Sequence, residues 1–160
     1  MKRARIALLL GISTGLAAFS VSAWADDVVR WKTIIGIIMP GNLVGAIPGG
    51  GQPWSTTGGE AKVNLDPRNG HIEFNVRGLV LAGGASIGTP DAIIEVKGTL
   101  VCNASVTVDT PLVPLSDTGD AQFSGEVVIP PACTTRNTAF LVRIPAGRWI
   151  ANGAVRQSND

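Results

Sequence analysis

Hydrophobic and polar residues alternate strictly along two neighbouring stretches of the chain. In residues 60–66 every second side chain is apolar, and the same pattern returns in residues 71–77. Such alternation is typical of β-strands with one buried face. The linking residues 66–70 are turn formers, and Asn69-Gly70 suits the positive φ of a tight reversal. The pattern therefore predicts a β-hairpin whose two polar faces share the solvent side.

Further segments with β-strand character lie on both sides of this hairpin. Residues 28–39 contain four isoleucines and no clearly polar side, so we expect a strand buried on much of both faces. Residues 40–59 are rich in glycine and proline and are expected to be mainly loop. The remaining predicted strands are residues 79–82, 93–102, 105–109, 121–129, 139–144 and 148–155.

These segments predict an all-β fold with antiparallel strands. About eight short strands separated by turn residues are typical of a single antiparallel β-sandwich or a small soluble β-barrel. Composition agrees, because residues 26–160 hold 15 Val, 12 Ile and 11 Thr, and β-branched residues favour strands. A stretch of this length suits one core, so we expect residues 26–160 to form a single all-β domain.

The N-terminus has the three parts of a bacterial Sec-type signal peptide. Lys2, Arg3 and Arg5 are positive, residues 6–19 are largely apolar, and Ala23-Trp24-Ala25 offers small residues at the cleavage site. We therefore expect residues 1–25 to be removed and the product to be secreted or periplasmic, with no membrane span after cleavage. The remaining chain has 10 basic and 12 acidic residues, a balance that does not favour nucleic acid.

Cys102 and Cys133 are the only cysteines of the chain. Because an exported protein meets an oxidising compartment, we expect a disulfide between them. A redox pair would need a Cys-x-x-Cys spacing or an activating base, and a zinc site would need further ligands.

Few residues suggest catalysis or metal binding. His71 is the only histidine and would serve a small secreted hydrolase together with a carboxylate, although its place at a strand end is also typical of a solvated residue. Asp117 and Asp120 are weak calcium candidates, because their loop lacks the spacing of a calcium-binding motif. We see no phosphate-binding loop and expect no cofactor.

A ligand surface is a further hypothesis. Arg148 and Trp149 adjoin each other near the C-terminus, and a guanidinium beside an indole can bind carbohydrate or an anionic group. Alternatively, Trp149 fills the core while the arginines extend outward. Speculative ligand-binding residues are Trp149, Arg148, Trp54 and His71, which would need a shared concave pocket.

Three segments resemble the strand layout of secreted CHRD-type domains. They are residues 59–66, 71–79 and 146–156. Those domains carry a His-x-His pair after the second strand and another histidine near the end, and this chain has neither. The shared features are mainly those of hairpins, so we assign neither membership nor any residue's role from the resemblance.

The leading functional hypothesis is an exported, non-catalytic β-sandwich protein that acts by binding or assembly at the cell envelope. Its partner would be an unknown protein or a carbohydrate ligand, and self-association is open. One alternative is a subunit that pairs its edge strand within an extracellular assembly. The other alternative is the small hydrolase that uses His71.

Overall fold

The structure is a computed structural model that describes residues 27–158. The expected signal peptide, residues 1–25, lies outside the described residues. Within residues 27–158 every regular element is a β-strand. The strands are β1 (Val28–Gly36), β2 (Leu43–Val44), β3 (Ile47–Pro48), β4 (Trp54–Ser55), β5 (Gly58–Asn64), β6 (His71–Arg77), β7 (Val80–Leu81), β8 (Glu95–Cys102), β9 (Val106–Asp109), β10 (Val113–Pro114), β11 (Ala121–Glu126), β12 (Thr138–Arg143) and β13 (Trp149–Ser158).

One nine-stranded antiparallel sheet contains most of these strands. Its order is β10-β8-β12-β13-β1-β5-β6-β11, and β9 pairs with β8 beside β10. Two small sheets, β2-β3 and β4-β7, complete the fold. The predicted all-β antiparallel class is confirmed.

The large sheet curls around its own core. Phe140 of β12 and Phe74 of β6 have ring centroids 5.5 Å apart, although three strands lie between them in the sheet. In a flat sheet, strands four positions apart would be separated by about 19 Å. Gly98 of β8 also faces this core, where an added Cβ would lie 2.8 Å from the Phe74 ring. The sheet therefore forms an open half-barrel with its apolar side chains in the hollow.

The predicted central hairpin is present as β5 and β6. Its register runs without interruption from Gly58 opposite Arg77 to Asn64 opposite His71. Its turn differs from the prediction, because neither Asn69 nor Gly70 has a positive φ. Gly70 is needed for another reason: a Cβ there would lie 2.4 Å from the Val127 carbonyl oxygen.

The expectation of a first strand buried on both faces is wrong. β1 ends at Gly36, and Ile38 and Met39 beyond it are 79% and 65% exposed. Ile34 and Ile37 are buried, but Ile35 between them is 43% exposed. The isoleucine cluster thus follows a strand with one inner face and continues into a surface turn.

The two halves of the sheet differ on their outer faces. The β2-β3 hairpin lies along one half, since Ala46 donates to the Ala104 carbonyl oxygen (3.2 Å) and Gly49 bridges to Trp149. Outward positions of β8 and β12 are buried there: Thr99, Val101 and Leu141. The outer face of β5, β6 and β11 has polar side chains that are exposed or half-buried. Among residues 27–158, no hairpin covers this second half of the outer face as β2-β3 covers the first.

Candidate functional site

The structure brings together two of the four speculative ligand residues. Trp54 and Arg148 line one cleft of about 180 Å³, together with Leu81, Ile93 and Ile150. This volume is below the roughly 300–1,000 Å³ of typical small-molecule pockets. The cleft could accept only a small group.

Trp149 and His71 lie apart from that cleft. Trp149 is 6% exposed, and its indole N–H donates to the Asn42 carbonyl oxygen at 2.9 Å. Trp149 therefore belongs to the core, the alternative that the sequence left open, and its indole holds the residue that precedes the β2-β3 hairpin. No shared aromatic pocket unites the four residues within the part of the chain described.

His71 lies on the outer face at the start of β6. Its Nε2 and the Ser124 hydroxyl of β11 form a hydrogen bond of 3.0 Å. Neither of the two ion pairs found among residues 27–158 includes His71. The hydrolase hypothesis needs a carboxylate beside His71, but no carboxylate within residues 27–158 forms an ion pair with it.

The weak calcium candidates belong to the turn between β10 and β11. The two carboxylate oxygens of Asp120 accept hydrogen bonds from Gly78 N–H and from the Thr118 hydroxyl, both at 2.9 Å. Asp117 is exposed in the same turn. No group of three or more metal-ligating side chains occurs within residues 27–158. Each oxygen of the Asp120 carboxylate thus has a hydrogen-bond donor, one from the turn itself and one from Gly78 after β6.

A cluster of charged residues on β8, β9 and β12 was missed from the sequence. Asp109 accepts hydrogen bonds from Lys97 (2.5 Å) and Arg143 (3.2 Å) and from the hydroxyl of Thr99 (2.7 Å). Burial raises the pKa of Asp109, but the hydrogen bonds from Lys97 and Thr99 and the charges of Lys97 and Arg143 outweigh it, so the pKa is lowered. A carboxylate held ionised in this way cross-links three strands.

The predicted disulfide is present between Cys102 and Cys133. Cys102 ends β8, and Cys133 lies in the connection from β11 to β12. Both residues are buried. The bond therefore joins the end of β8 to the loop that follows β11, the strand at the opposite side of the sheet.

The sheet has two terminal sides that differ in their protection. The first, called the closed edge here, is the side of β9 and β10 turned away from β8. Pro114 lies in β10, where Leu115 N–H bonds back to the Ile94 carbonyl oxygen (2.8 Å). Because the backbone groups of successive residues point to opposite sides, those of Pro114 point away from β8, and proline has no N–H to present there. A one-residue bulge precedes β10, since residues 110 to 113 face residues 98 to 96.

The second terminal side belongs to β11 and has no such protection. All six residues of β11 pair in register with β6, and Val127 N–H donates to the Gly70 carbonyl oxygen at 2.9 Å. Because alternate residues of an antiparallel strand face opposite sides, Gln122, Ser124 and Glu126 point their backbone N–H and C=O groups away from β6. We call this side the open edge. These outward groups form no hydrogen bond with any residue in the range 27–158.

A groove begins where the two terminal strands diverge. Ser116 N–H donates to the Asp120 carbonyl oxygen at 3.0 Å, so β10 and β11 are joined by a tight turn. Beyond the turn, β10 pairs with β8 and β11 pairs with β6. The resulting seam groove has a volume of about 920 Å³. It is lined by Glu60, Asn75, Val76, Arg77, Val113, Pro114, Ser116, Asp120, Ala121 and Gln122.

The open edge could not be located from the sequence pattern. Residues 121–129 were predicted to be a strand, and β11 covers Ala121–Glu126, but nothing in the pattern shows which strand ends the sheet. The absence of proline and lysine from β11 was the available signal, because protected edges tend to contain them. That signal matters only once the strand order is known.

No helix long and apolar enough to cross a bilayer occurs in the stretch 27–158. Comparison of the chain with protein-family models, with curated proteins and with solved structures gives no match.

Proposed function

We propose that the protein is an exported, non-catalytic component of the cell envelope that acts by binding or assembly through the open edge of β11. The single observation that carries the proposal is the row of unpaired backbone groups at Gln122, Ser124 and Glu126 beside the seam groove. Unpaired strand edges bind extended polypeptides by adding a strand to the sheet.

The seam groove supports this proposal because of its size and its lining. At about 920 Å³ it lies within the range of ligand pockets. Arg77, Glu60 and Gln122 provide charged and amide groups at its walls, while Val113 and Pro114 provide apolar surface. A strand on the open edge would place its own side chains against this mixed surface.

Polypeptide is favoured over carbohydrate as the partner. Carbohydrate sites typically present aromatic faces, and both Trp54 and Trp149 are 6% exposed. Backbone hydrogen bonding at β11 requires instead a partner with its own N–H and C=O groups.

Peptide display tests the binding part of the proposal. Random extended peptides would be selected on purified residues 26–160, and each peptide would be measured against two proline variants. Gln122→Pro removes an outward N–H of the open edge. Thr107→Pro removes an outward N–H of the closed edge, because Thr110 N–H donates to the Gly98 carbonyl oxygen (2.9 Å) and alternation turns the backbone groups of Thr107 away from β8. We expect selected peptides to bind the wild type and Thr107→Pro equally and Gln122→Pro at least about tenfold more weakly, because several strand hydrogen bonds are lost together. Failure to enrich any peptide that depends on Gln122 would contradict the proposal.

Export has a separate test. The disulfide between Cys102 and Cys133 is compatible with an oxidising compartment outside the cytoplasm. After expression of the full chain in a bacterium, we expect mass spectrometry of the periplasmic or secreted fraction to find a product that begins at Asp26. A product that retains residues 1–25 in the cytoplasm would contradict export.

A further inference from the structure

We propose that the strand that binds the open edge is β11 of a second copy of this chain, paired antiparallel about a two-fold axis at Ser124. This inference rests on the proposed function and names its partner. Pairing of identical edges is isologous, so each copy contributes the same surface and the contact closes as a dimer.

The outward backbone groups select this register. If Ser124 faces Ser124 of the second copy, then Gln122 faces Glu126 of the second copy in both directions. All three outward residues of each copy then meet outward residues of the other, as antiparallel hydrogen bonding requires. Centring the pair one residue earlier or later leaves one of the three unmatched.

The outer-face side chains agree with the same register. The Gln122 amide can donate to the Glu126 carboxylate of the second copy, and the two Ser124 hydroxyls meet at the axis. All three side chains are exposed in β11. A register centred on Glu126 would oppose two carboxylates, which is unfavourable between directly facing residues. The amide–carboxylate hydrogen bond and the avoidance of facing carboxylates therefore favour the axis at Ser124.

The inner-face side chains are compatible with the same register. In this register Phe123 faces Gly125 of the second copy. Phe123 is only partly buried, with its ring 6.3 Å from that of Phe74. The ring also lies over Gly125 of its own strand, where an added Cβ would be 2.7 Å from it. The space beside Gly125 is therefore filled within each copy, and no side chain of the inner face opposes the pairing.

The paired segment ends before Asp120. Its backbone carbonyl oxygen accepts from Ser116 N–H at 3.0 Å, and its own N–H donates to the Ser116 hydroxyl at 2.9 Å. Because Ser116 already occupies the outward side of Asp120, the strand of the second copy pairs only with Gln122, Ser124 and Glu126.

The dimer should be weak, because one strand pair buries less area than a standard protein interface. We therefore expect a dissociation constant in the micromolar range or above. Sedimentation velocity of residues 26–160 over concentrations from about 10 μM to about 1 mM would cover that range. The expected result is a concentration-dependent shift from monomer to dimer with no larger species.

Paired lysine variants locate the interface. Ser124→Lys would place two ammonium groups together at the axis, whereas Thr107→Lys makes the same change on the exposed outer side of the closed edge. We expect Ser124→Lys to be monomeric throughout and Thr107→Lys to dimerise like the wild type. Ser124→Ala, which also removes the hydrogen bond to His71, should still dimerise.

Charge variants at Gln122 test the register. Gln122→Glu would face Glu126 of the second copy and should weaken the dimer about fivefold, because two like-charge pairs form. Gln122→Lys should strengthen it by a similar factor. Circular dichroism and thermal unfolding would verify that each variant is folded.

The outcomes separate the two proposals. A wild type that stays monomeric at about 1 mM, or a dimer that Thr107→Lys weakens as much as Ser124→Lys, would overturn self-pairing. If selected peptides nevertheless bind in a manner that depends on Gln122, the proposed function stands with a different partner. If both tests fail, the open edge is not a binding surface.

Discussion

Both terminal sides of the large sheet have backbone groups without a neighbouring strand, but the two sides differ in how well these groups are protected from other chains. The closed edge is interrupted by a bulge and contains Pro111 and Pro114. The open edge is a regular strand of six residues without proline or lysine. Unprotected edges are prone to pair with other chains, and proteins usually block them. Proline residues and a bulge interrupt one edge of this sheet, whereas the other edge is a regular strand. This difference favours β11 as an edge that binds a partner.

Ionic contacts follow the same division. The β8-β9 side has the ion pairs of Asp109 with Lys97 and Arg143, and the disulfide ties Cys102 at the end of β8 to Cys133 in the connection from β11 to β12. β11 is held by its backbone pairing with β6, the stacking of Phe123 on Phe74 and the hydrogen bond of Ser124 to His71. We therefore expect the closed side to be the more rigid one.

The largest expected effect comes from removing the disulfide. The double variant Cys102→Ala and Cys133→Ala should lower the free energy of unfolding by about 2–5 kcal/mol, because the cross-link restrains the unfolded chain. Urea unfolding monitored by tryptophan fluorescence would measure it. A loss below about 1 kcal/mol would show that the closed side does not depend on its covalent link.

A pair of proline variants tests which backbone groups of β11 face outward. Val127→Pro removes the N–H that donates to the Gly70 carbonyl oxygen and should cost about 1–3 kcal/mol, the penalty of leaving a buried acceptor unpaired. Gln122→Pro removes an outward N–H and should cost less than about 1 kcal/mol, since proline is tolerated on free edges. Urea unfolding of both variants at low protein concentration measures the difference. Equal losses would contradict the assignment of the open edge.

A small, pH-dependent stability effect is expected for Asp109. Its pKa is lowered below the ordinary value of 3.8, so the unfolded chain binds the proton more tightly and stability rises with pH through this region. The contribution of Asp109 is therefore present above about pH 4 and lost as the pH falls further. Because the side chain is 35% exposed, Asp109→Asn should cost only about 1 kcal/mol at neutral pH.

Acid titration provides the control for Asp109. The difference in unfolding free energy between wild type and Asp109→Asn should shrink as the pH drops below about 4, where the wild-type carboxyl becomes protonated. A difference that stays constant down to about pH 2 would show that the ion pairs do not contribute through the charge of Asp109.

The alternation of side chains predicted the strands well, because burial of one face imposes a period of two. β5 and β6 match residues 60–66 and 71–77 closely, and β12 and β13 begin within one residue of their expected starts. The pattern failed at Ile35 and Ile38, where apolar residues are exposed. Hydrophobicity alone does not distinguish a second buried face from an exposed surface.

The candidate site was less predictable, because it depends on contacts between distant strands. Asp109 and Arg143 are separated by 34 residues in sequence, and their pairing follows from the strand order. Gly70 was assigned to a turn of positive φ, yet its role is to admit the backbone of Val127. The open edge of β11 likewise depends on the order of the strands in the sheet. The local pattern of hydrophobic and polar residues does not determine that order.

Amide hydrogen exchange at individual residues tests the central claim most directly. At low protein concentration, we expect the outward amides of Gln122, Ser124 and Glu126 to exchange rapidly, and at about 1 mM we expect them to become protected as the dimer forms. The outward amides of Thr107 and Asp109 on the closed edge should exchange at the same rate at both concentrations. If the three β11 amides are equally protected, or equally unprotected, at both concentrations, the open edge does not bind a second copy.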